Sequence, residues 1–319
     1  MTIEKASISA VEKPWGSLSL LPWSNLSHGE KPIGELWFGR AQVNANPSSL
    51  LLKLIFAKEA LSIQVHPDDK MALAMGLPNG KTEAWYVLSA DSDAQVALGL
   101  KQCVTKSQLQ QSIQDGSISD MVDWRNVKAG AVIFVPAGTI HAIGSGIVLA
   151  EIQQRSDTTF RLYDFHRNRT LDVQSALNAA FAGPAAQDIP SHSSSTGMSN
   201  LIVCPQFDLD IISLPPGGLH LFNAERETWL LVLEGSMQLG ELNAVIGEAV
   251  FLEDEITTIS SGGVGLKCLC ARTGATHASD FQSGMAQSIS AHEQGTETDL
   301  VLYPKASNIS IHKEQEVFV

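Results

Sequence analysis

Four side chains in the first half of this sequence have the chemistry of a metal shell. They are Gln64 and His66 in "LSIQVHPDD", Glu83 in "GKTEAWYVL" and His141 in "GAVIFVPAGTIHAIGSG". Two imidazoles, a carboxylate and an amide oxygen combine borderline-soft nitrogen with hard oxygen. That set suits zinc, and also iron, manganese or cobalt. A structural zinc site is closed and usually built from several thiolates. With no sulfur and a weak amide donor, this set reads as a catalytic centre that keeps room for water or substrate. Taken singly, each residue is more often a satisfied or exposed side chain. What sets the four apart is that they fall on polar faces of three strand segments.

Two cations stand beside them. Side chains alternate along a strand, so Lys81 shares a face with Glu83 and Trp85. In "DTTFRLYD", Arg161 shares one with Thr159 and Tyr163, which leaves Phe160 and Leu162 for the core. With the Ser62 hydroxyl, this ammonium and guanidinium form what a phosphate or a developing enediolate requires. By spacing alone, two surface charges would be the commoner explanation. Asp157 in "RSDTTFR" is a further acid/base candidate.

The elements that must position these groups are strands. In "LSIQVHPDD", Leu61, Ile63 and Val65 share one side and Ser62, Gln64 and His66 the other. Short segments of this kind recur between Gly, Pro and Asn/Asp turns, the pattern of an all-β sandwich or barrel. In the first half they span 48–57, 61–66, 83–89, 94–99, 131–135, 147–154 and 158–164. In the second half they span 207–214, 228–234, 236–239, 248–252 and 264–271. Helical signals are fewer: "PDDKMALAMG" opens with Pro and two acids, "TKSQLQQSIQDG" with a Thr cap, and "LDVQSALNAAFAG" has apolar residues at helical spacing, each closed by Gly. A polar, Pro/Ser-rich run at 183–200 reads as a linker. "DLVLYP" and "NISIH" in the polar tail after 274 look strand-like. A faint internal repeat sets "EAWYVL" (83–88) against "ETWLLVL" (227–233), and the His141 stretch against "GEAVFLEDEITTIS" (247–260). In that register Glu227 stands where Glu83 does and Thr258 replaces His141, so no second metal set is expected, His220 notwithstanding.

Length and charge narrow the function classes. A chain of 319 residues is long enough for two domains, and its formal charge of −13 argues against nucleic acid or an acidic membrane as partner. No apolar run is long enough to span a bilayer, and the N-terminal stretch lacks the apolar core of a signal peptide. Four cysteines form no CxxC pair; Cys268 and Cys270 read as buried reduced thiols, which points to the cytoplasm.

The frame of Gly130, Pro136, Gly138 and His141 resembles the second conserved motif of cupins, the small double-sheet jelly rolls. More extended pieces resemble the type I phosphomannose isomerases, especially the shorter bacterial ones. These are "EKPWG" (12–16), "LLLKLIFAKEALSIQVHPDD" (50–69), "GKTEAWYVL" (80–88), "VPAGTIHAIGSG" (135–146) and "LAEIQQRSDTTFRLYDF" (149–165). The resemblance implies a mainly β fold of two cupin-type jelly-roll barrels with a few short helices. It implies a catalytic cupin domain with a helical insert at 1–182, a linker at 183–200 and a degenerate cupin-like domain with a polar tail at 201–319. It further implies one zinc ion per chain, other divalent metals being acceptable, on Gln64, His66, Glu83 and His141. The expected reaction interconverts mannose 6-phosphate and fructose 6-phosphate through an enediol(ate). Arg161 matches the family's catalytic arginine and Lys81 the lysine beside the ligand glutamate; both are expected to bind substrate, with Ser62. Lys81 would clamp phosphate, or move a proton if the metal lowers its pKa. The stretch "GELWFGRAQVNANPSSL" departs from the family pattern around 40–48, which leaves the preferred sugar open. Rival readings are an iron cupin oxygenase on His66, Glu83 and His141, and a non-catalytic sugar-phosphate-binding cupin. Oligomeric state is not legible.

Overall fold

The strand Leu50–Ala57 is buried along its whole length, because the protein packs something against both of its faces. A computed structural model describes residues 2–26, 29–42, 46–167, 169–185 and 197–274. Positions 186–196 of the expected linker, the strand-like stretches at 299–304 and 308–312, and 43–45 of the divergent region lie outside the described residues. In chain order the elements begin with β1 (Thr2–Lys5), β2 (Ser7–Ser17), β3 (Ile33–Gly39), β4 (Leu50–Ala57), β5 (Ile63–Val65) and α1 (Asp69–Ala74). Next come β6 (Glu83–Ala90), β7 (Gln95–Leu100), α2 (Lys106–Asp115), α3 (Ile118–Met121) and β8 (Val122–Asn126). Then follow β9 (Val132–Val135), β10 (His141–Ile143), β11 (Ile147–Gln154), β12 (Phe160–Tyr163) and α4 (Val173–Ala179). The second half contains β13 (Met198–Val203), β14 (Phe207–Leu214), β15 (Leu219–Ala224) and β16 (Thr228–Leu239). It ends with β17 (Leu242–Val245), β18 (Ala249–Glu253) and β19 (Glu255–Thr273).

The first half is a jelly-roll sandwich. One sheet runs β2-β3-β4-β11-β6-β9 and the other β12-β5-β10-β7-β8. Between them Ile55, Trp85, Val87, Leu98, Ile143 and Leu149 form the apolar part of the lumen. Ile63, Val65, Phe160 and Leu162 point outward from the second sheet, onto Leu109 and Ile113 of α2 and Leu177 of α4. The three expected helices thus cover the sheet that presents Gln64, His66 and His141. The middle one, α2, opens with a reciprocal Thr105–Gln108 capping box and closes on Gly116 in the left-handed region.

The second half folds an eight-stranded sheet around its own interior of Ile212, Phe222, Leu230, Val232, Val250, Leu252, Ile259 and Cys268. Its outer face meets the outer face of the first sheet: Leu52, Leu54 and Phe56 of β4 pack with Phe207, Trp229, Leu231 and Phe251. That junction is the second cover on β4, and explains why "LLLKLIFA" is apolar on both parities. Two polar links flank it. Glu227 accepts from the backbone N–H groups of Ser49 at 2.6 Å and Leu50 at 2.9 Å, and Arg40 donates to Glu4 at 2.7 Å while stacking on Phe251. Residues 2–5, inside the segment expected to belong to the first unit, pair instead with β18.

The structure adds strands that periodicity missed. β2 is an edge strand with mostly exposed or half-buried residues, so it carries no clean apolar alternation; the segments at 228–234 and 236–239 are one continuous strand. It also corrects the register of the repeat. Gly130 and Gly247 both turn the chain with positive φ ahead of the matching strands β9 and β18. Five residues past Gly130, Val135 lies opposite Glu83; five past Gly247, Leu252 lies opposite Thr228, not Glu227. A slip of one residue reverses the face of a side chain, so Glu227 points into the junction rather than into a lumen.

Candidate metal centre

Backbone pairing gathers the donors. The Pro136–Gly138 turn needs φ = 85° at Gly138, a conformation that favours glycine, and the Gly138 N–H donates to the His66 carbonyl at 2.9 Å. The loop that delivers His141 is thereby tied to the strand end that carries His66. β10 then sets His141 opposite Gln64, and β5 sets Gln64 opposite Arg161, one transverse row across the second sheet. Glu83, at the start of β6, reaches across from the first sheet.

Both imidazoles are oriented alike. His66 Nδ1 lies 2.9 Å from the Thr158 carbonyl, and His141 Nδ1 lies 2.9 Å from the Thr139 carbonyl. A carbonyl only accepts, so each Nδ1 carries the proton and each Nε2 keeps its lone pair. His66 Nε2 is 3.2 Å from Glu83 Oε1 and His141 Nε2 is 3.7 Å from Oε2. One ligand atom from each of the three residues falls within 4.8 Å of the others. Burial, reinforced by the Lys81 charge, pushes His66 down to about 3, and burial lowers His141 as well. Both are neutral at physiological pH, the form that ligates.

Burial acts to raise the Glu83 pKa, but the Lys81 ammonium at 2.9 Å overrides it and holds the carboxyl well below the usual range. The converse applies to Lys81: burial would lower it, and the Glu83 charge holds it up. The two groups hold each other charged, and the Lys81 ammonium lies 3.4 Å from His66 Nε2. Ser62 Oγ donates to Gln64 Oε1 at 3.1 Å, and Gln64 Nε2 lies 3.3 Å from His141 Nε2. A half-turn of that amide lets Ser62 accept instead and brings the amide oxygen to the triad.

The polar groups here are under-satisfied in a specific way. Among the described residues, six buried side-chain polar atoms lack a hydrogen-bond partner, and four belong to Glu83 (both oxygens), Gln153 and Arg161. The Lys81–Glu83 contact is close enough for an ion pair but not aligned as a hydrogen bond. Native structures rarely leave such atoms unmatched without a reason. An ionised carboxylate facing two imidazole lone pairs fits a divalent cation of the zinc class.

Two charged residues escaped the sequence reading. Glu151 is buried, accepts from Trp85 Nε1 at 3.1 Å and pairs with Lys53 Nζ at 3.3 Å. Burial first, then the Glu83 charge, pushes its carboxyl up to about 6, against the pull of Lys53 and Lys81. Lys53 is the lone charge in "LLLKLIFA" and continues to Glu35 at 3.9 Å, which meets Lys13 at 3.1 Å. An unbroken apolar run interrupted by one lysine was the available signal. Arg161 is half-buried; burial, then the Arg169 charge, lowers its pKa. Asp157 exerts its charge on both Arg161 and Lys81.

No protein-family model matches the chain. By sequence it is similar to a mannose-6-phosphate isomerase of Streptococcus mutans, 37% identical over 182 residues, 54% of this chain and 57% of that one. It is also similar to mannose-6-phosphate isomerase ManA of Bacillus subtilis, 40% identical over 142 residues, 42% of this chain and 44% of the other. The matches thus span about half the length of the curated relatives. By structure it superposes on a mannose 6-phosphate isomerase from Bacillus subtilis with a TM-score of 0.74 at 23% identity, covering 85% of this chain and 100% of the other. A phosphomannose isomerase mutant from Salmonella typhimurium gives 0.68 at 15%, with 85% and 100% covered. By sequence over about half its length, and by fold over most of it, the chain is similar to proteins named mannose-6-phosphate isomerases.

Proposed function

We propose that the protein is a zinc-dependent aldose–ketose isomerase acting on mannose 6-phosphate and fructose 6-phosphate, with one metal per chain. The observation that supports it is the convergence of His66, Glu83 and His141 beside two cations and a carboxyl near neutral pKa. Gln64 is the fourth donor by its place next to His141. Zinc bound there would polarise the sugar's carbonyl and hydroxyl oxygens.

The chain's own residues divide the remaining work. Lys81, fixed as an ammonium, and Ser62 hold substrate oxygens at the metal edge. Arg161 offers an unmatched buried Nε to the phosphate or to the charge that develops on the enediolate. Glu151 is the group best suited to carry the proton between C1 and C2, because a carboxyl poised near 6 both accepts and returns it at neutral pH. The Lys53 ammonium steadies it. We assign this work to residues up to 182, and to the rest of the described chain the role of a support docked on β4. No helix among the described residues is long and apolar enough to cross a membrane. Cys268 and Cys270, buried with thiol pKa values raised by burial, suit the reducing cytoplasm we assign to the protein.

The test is a coupled assay on mannose 6-phosphate before and after chelation. Turnover should vanish with the metal and return with added zinc. Failure of the metal-loaded protein to convert mannose 6-phosphate, or indifference to the chelator, would overturn the reading.

A further inference from the structure

Gln153 is fully buried and only half satisfied. It is the strand partner of Glu83 on β11. Its neighbours Ala150 and Ile152 pack into the junction with the second half, whereas Leu149 and Glu151 face the lumen; Gln153 therefore faces the lumen too. Its Nε2 donates to the carbonyls of Gln154 at 3.0 Å and Ser156 at 2.5 Å. Both partners are acceptors only, so this amide cannot be turned over: the NH2 must face them and Oε1 must face away. That oxygen is buried with no hydrogen-bond partner. Its strand partner Glu83 cannot supply one, being an ionised acceptor, and no other described side chain donates to it.

We propose that Gln153 is a specificity-determining residue whose Oε1 accepts a hydrogen bond from one hydroxyl of the sugar held beside the triad. The ligand class is a polyhydroxy sugar phosphate with a free hydroxyl near its reacting carbons; the proposal rests on the isomerase reading above. A buried acceptor built for a hydroxyl discriminates strongly against an analogue that lacks it, because the protein atom is then left unpaired.

The experiment compares wild type with Gln153→Leu, both metal-loaded, on mannose 6-phosphate and its monodeoxy analogues. Binding is read by calorimetry, turnover by the coupled assay and metal content by mass spectrometry. Gln153→Leu should keep its metal and lose on the order of a hundredfold in kcat/KM on the parent sugar. One analogue should be as poor for wild type as for the variant, since the two deletions remove the same bond and do not add. Gln153→Met, of similar length, replaces the leucine variant if that one does not fold. Additive losses for every analogue, or unchanged kinetics on the parent, would overturn the proposal and leave the isomerase reading standing. A wild-type protein that neither binds nor converts mannose 6-phosphate would instead sink the reading itself.

Discussion

The two halves repeat a strand pattern and end with opposite interiors. On the lumen side of the first half, neighbouring strands set Glu83 beside Gln153, and Glu151 beside both Trp85 and Lys53. The equivalent ladder of the second half sets Thr228 beside Arg272, and Cys270 beside both Leu230 and Asp210. There the buried carboxylate is answered: Arg272 meets Asp210 at 2.6 Å and Asn200 also donates to it, which leaves only Arg272 Nε of this group unmatched. In the first half the carboxylate and imidazole lone pairs converge without full answer. The glutamate that sequence alone aligns with Glu83 lies on the outer face, where it holds the N–H groups of Ser49 and Leu50 at the start of β4. A binding centre therefore requires polar groups that the fold collects and then declines to pair. An inherited strand pattern does not guarantee that.

Substitutions can break this contrast at either end. The largest effect is expected for His141→Ala, which should lose bound metal and at least about a thousandfold in turnover, on the scale of removing a main stabilising group; metal analysis beside the assay checks both. Asp210→Ala strands a partly buried guanidinium and should cost roughly 3 kcal/mol in denaturant unfolding, the low end for breaking a buried pair, while metal content stays at wild-type level. The paired change Asp210→Leu with Arg272→Met should recover most of that loss. Glu227→Ala leaves two backbone donors unmatched at the junction and should cost on the order of 1–3 kcal/mol, with activity retained well below the melting transition. Thr258→Ala, at the position aligned with His141, should stay within about 0.5 kcal/mol of wild type and keep full activity. A large loss there would mean that the second half carries chemistry of its own.

Acid should sharpen the same contrast in the metal-free protein. His66 titrates near 3 when folded and near the usual 6.5 when unfolded. Its contribution is complete above about pH 6.5 and is lost progressively toward 3 as the unfolded chain gains protons first. Glu83, also depressed, acts with the same sign below its usual 4.5. Glu227 is raised, by burial, and has the opposite sign: its contribution is complete below 4.5 and fades as pH rises through the folded value. Hydrogen exchange followed from pH 7 to 5 should show β5 and β10 losing protection before β16. Equal loss in both would contradict the assignment of charge states.

Much of this was legible in the sequence because its signals are local. Alternation placed Gln64, His66 and Arg161 on one face, and the Pro-x-Gly turn announced His141. Other features depend on what packs against a strand, which periodicity does not reveal. Lys53 and Glu151 interrupt apolar runs, and only the pairing of β4 with β11 sets them against each other. Glu227 was assigned the wrong face because a one-residue offset between two apolar strands is invisible without the partner strand. The polar edge strand β2 offered no pattern at all, and β1 none that pointed to its partner so far along the chain.

That last pairing has a consequence for synthesis. The ribosome delivers Thr2–Lys5 long before the strand they join, Ala249–Glu253, which leaves it hundreds of residues later. Until then those residues wait without a mate, and the apolar back of Leu52, Leu54 and Phe56 waits with them. Contacts so distant along the chain close slowly and leave sticky surface exposed in the interim. The nascent first barrel therefore carries an uncovered apolar face until its second half arrives.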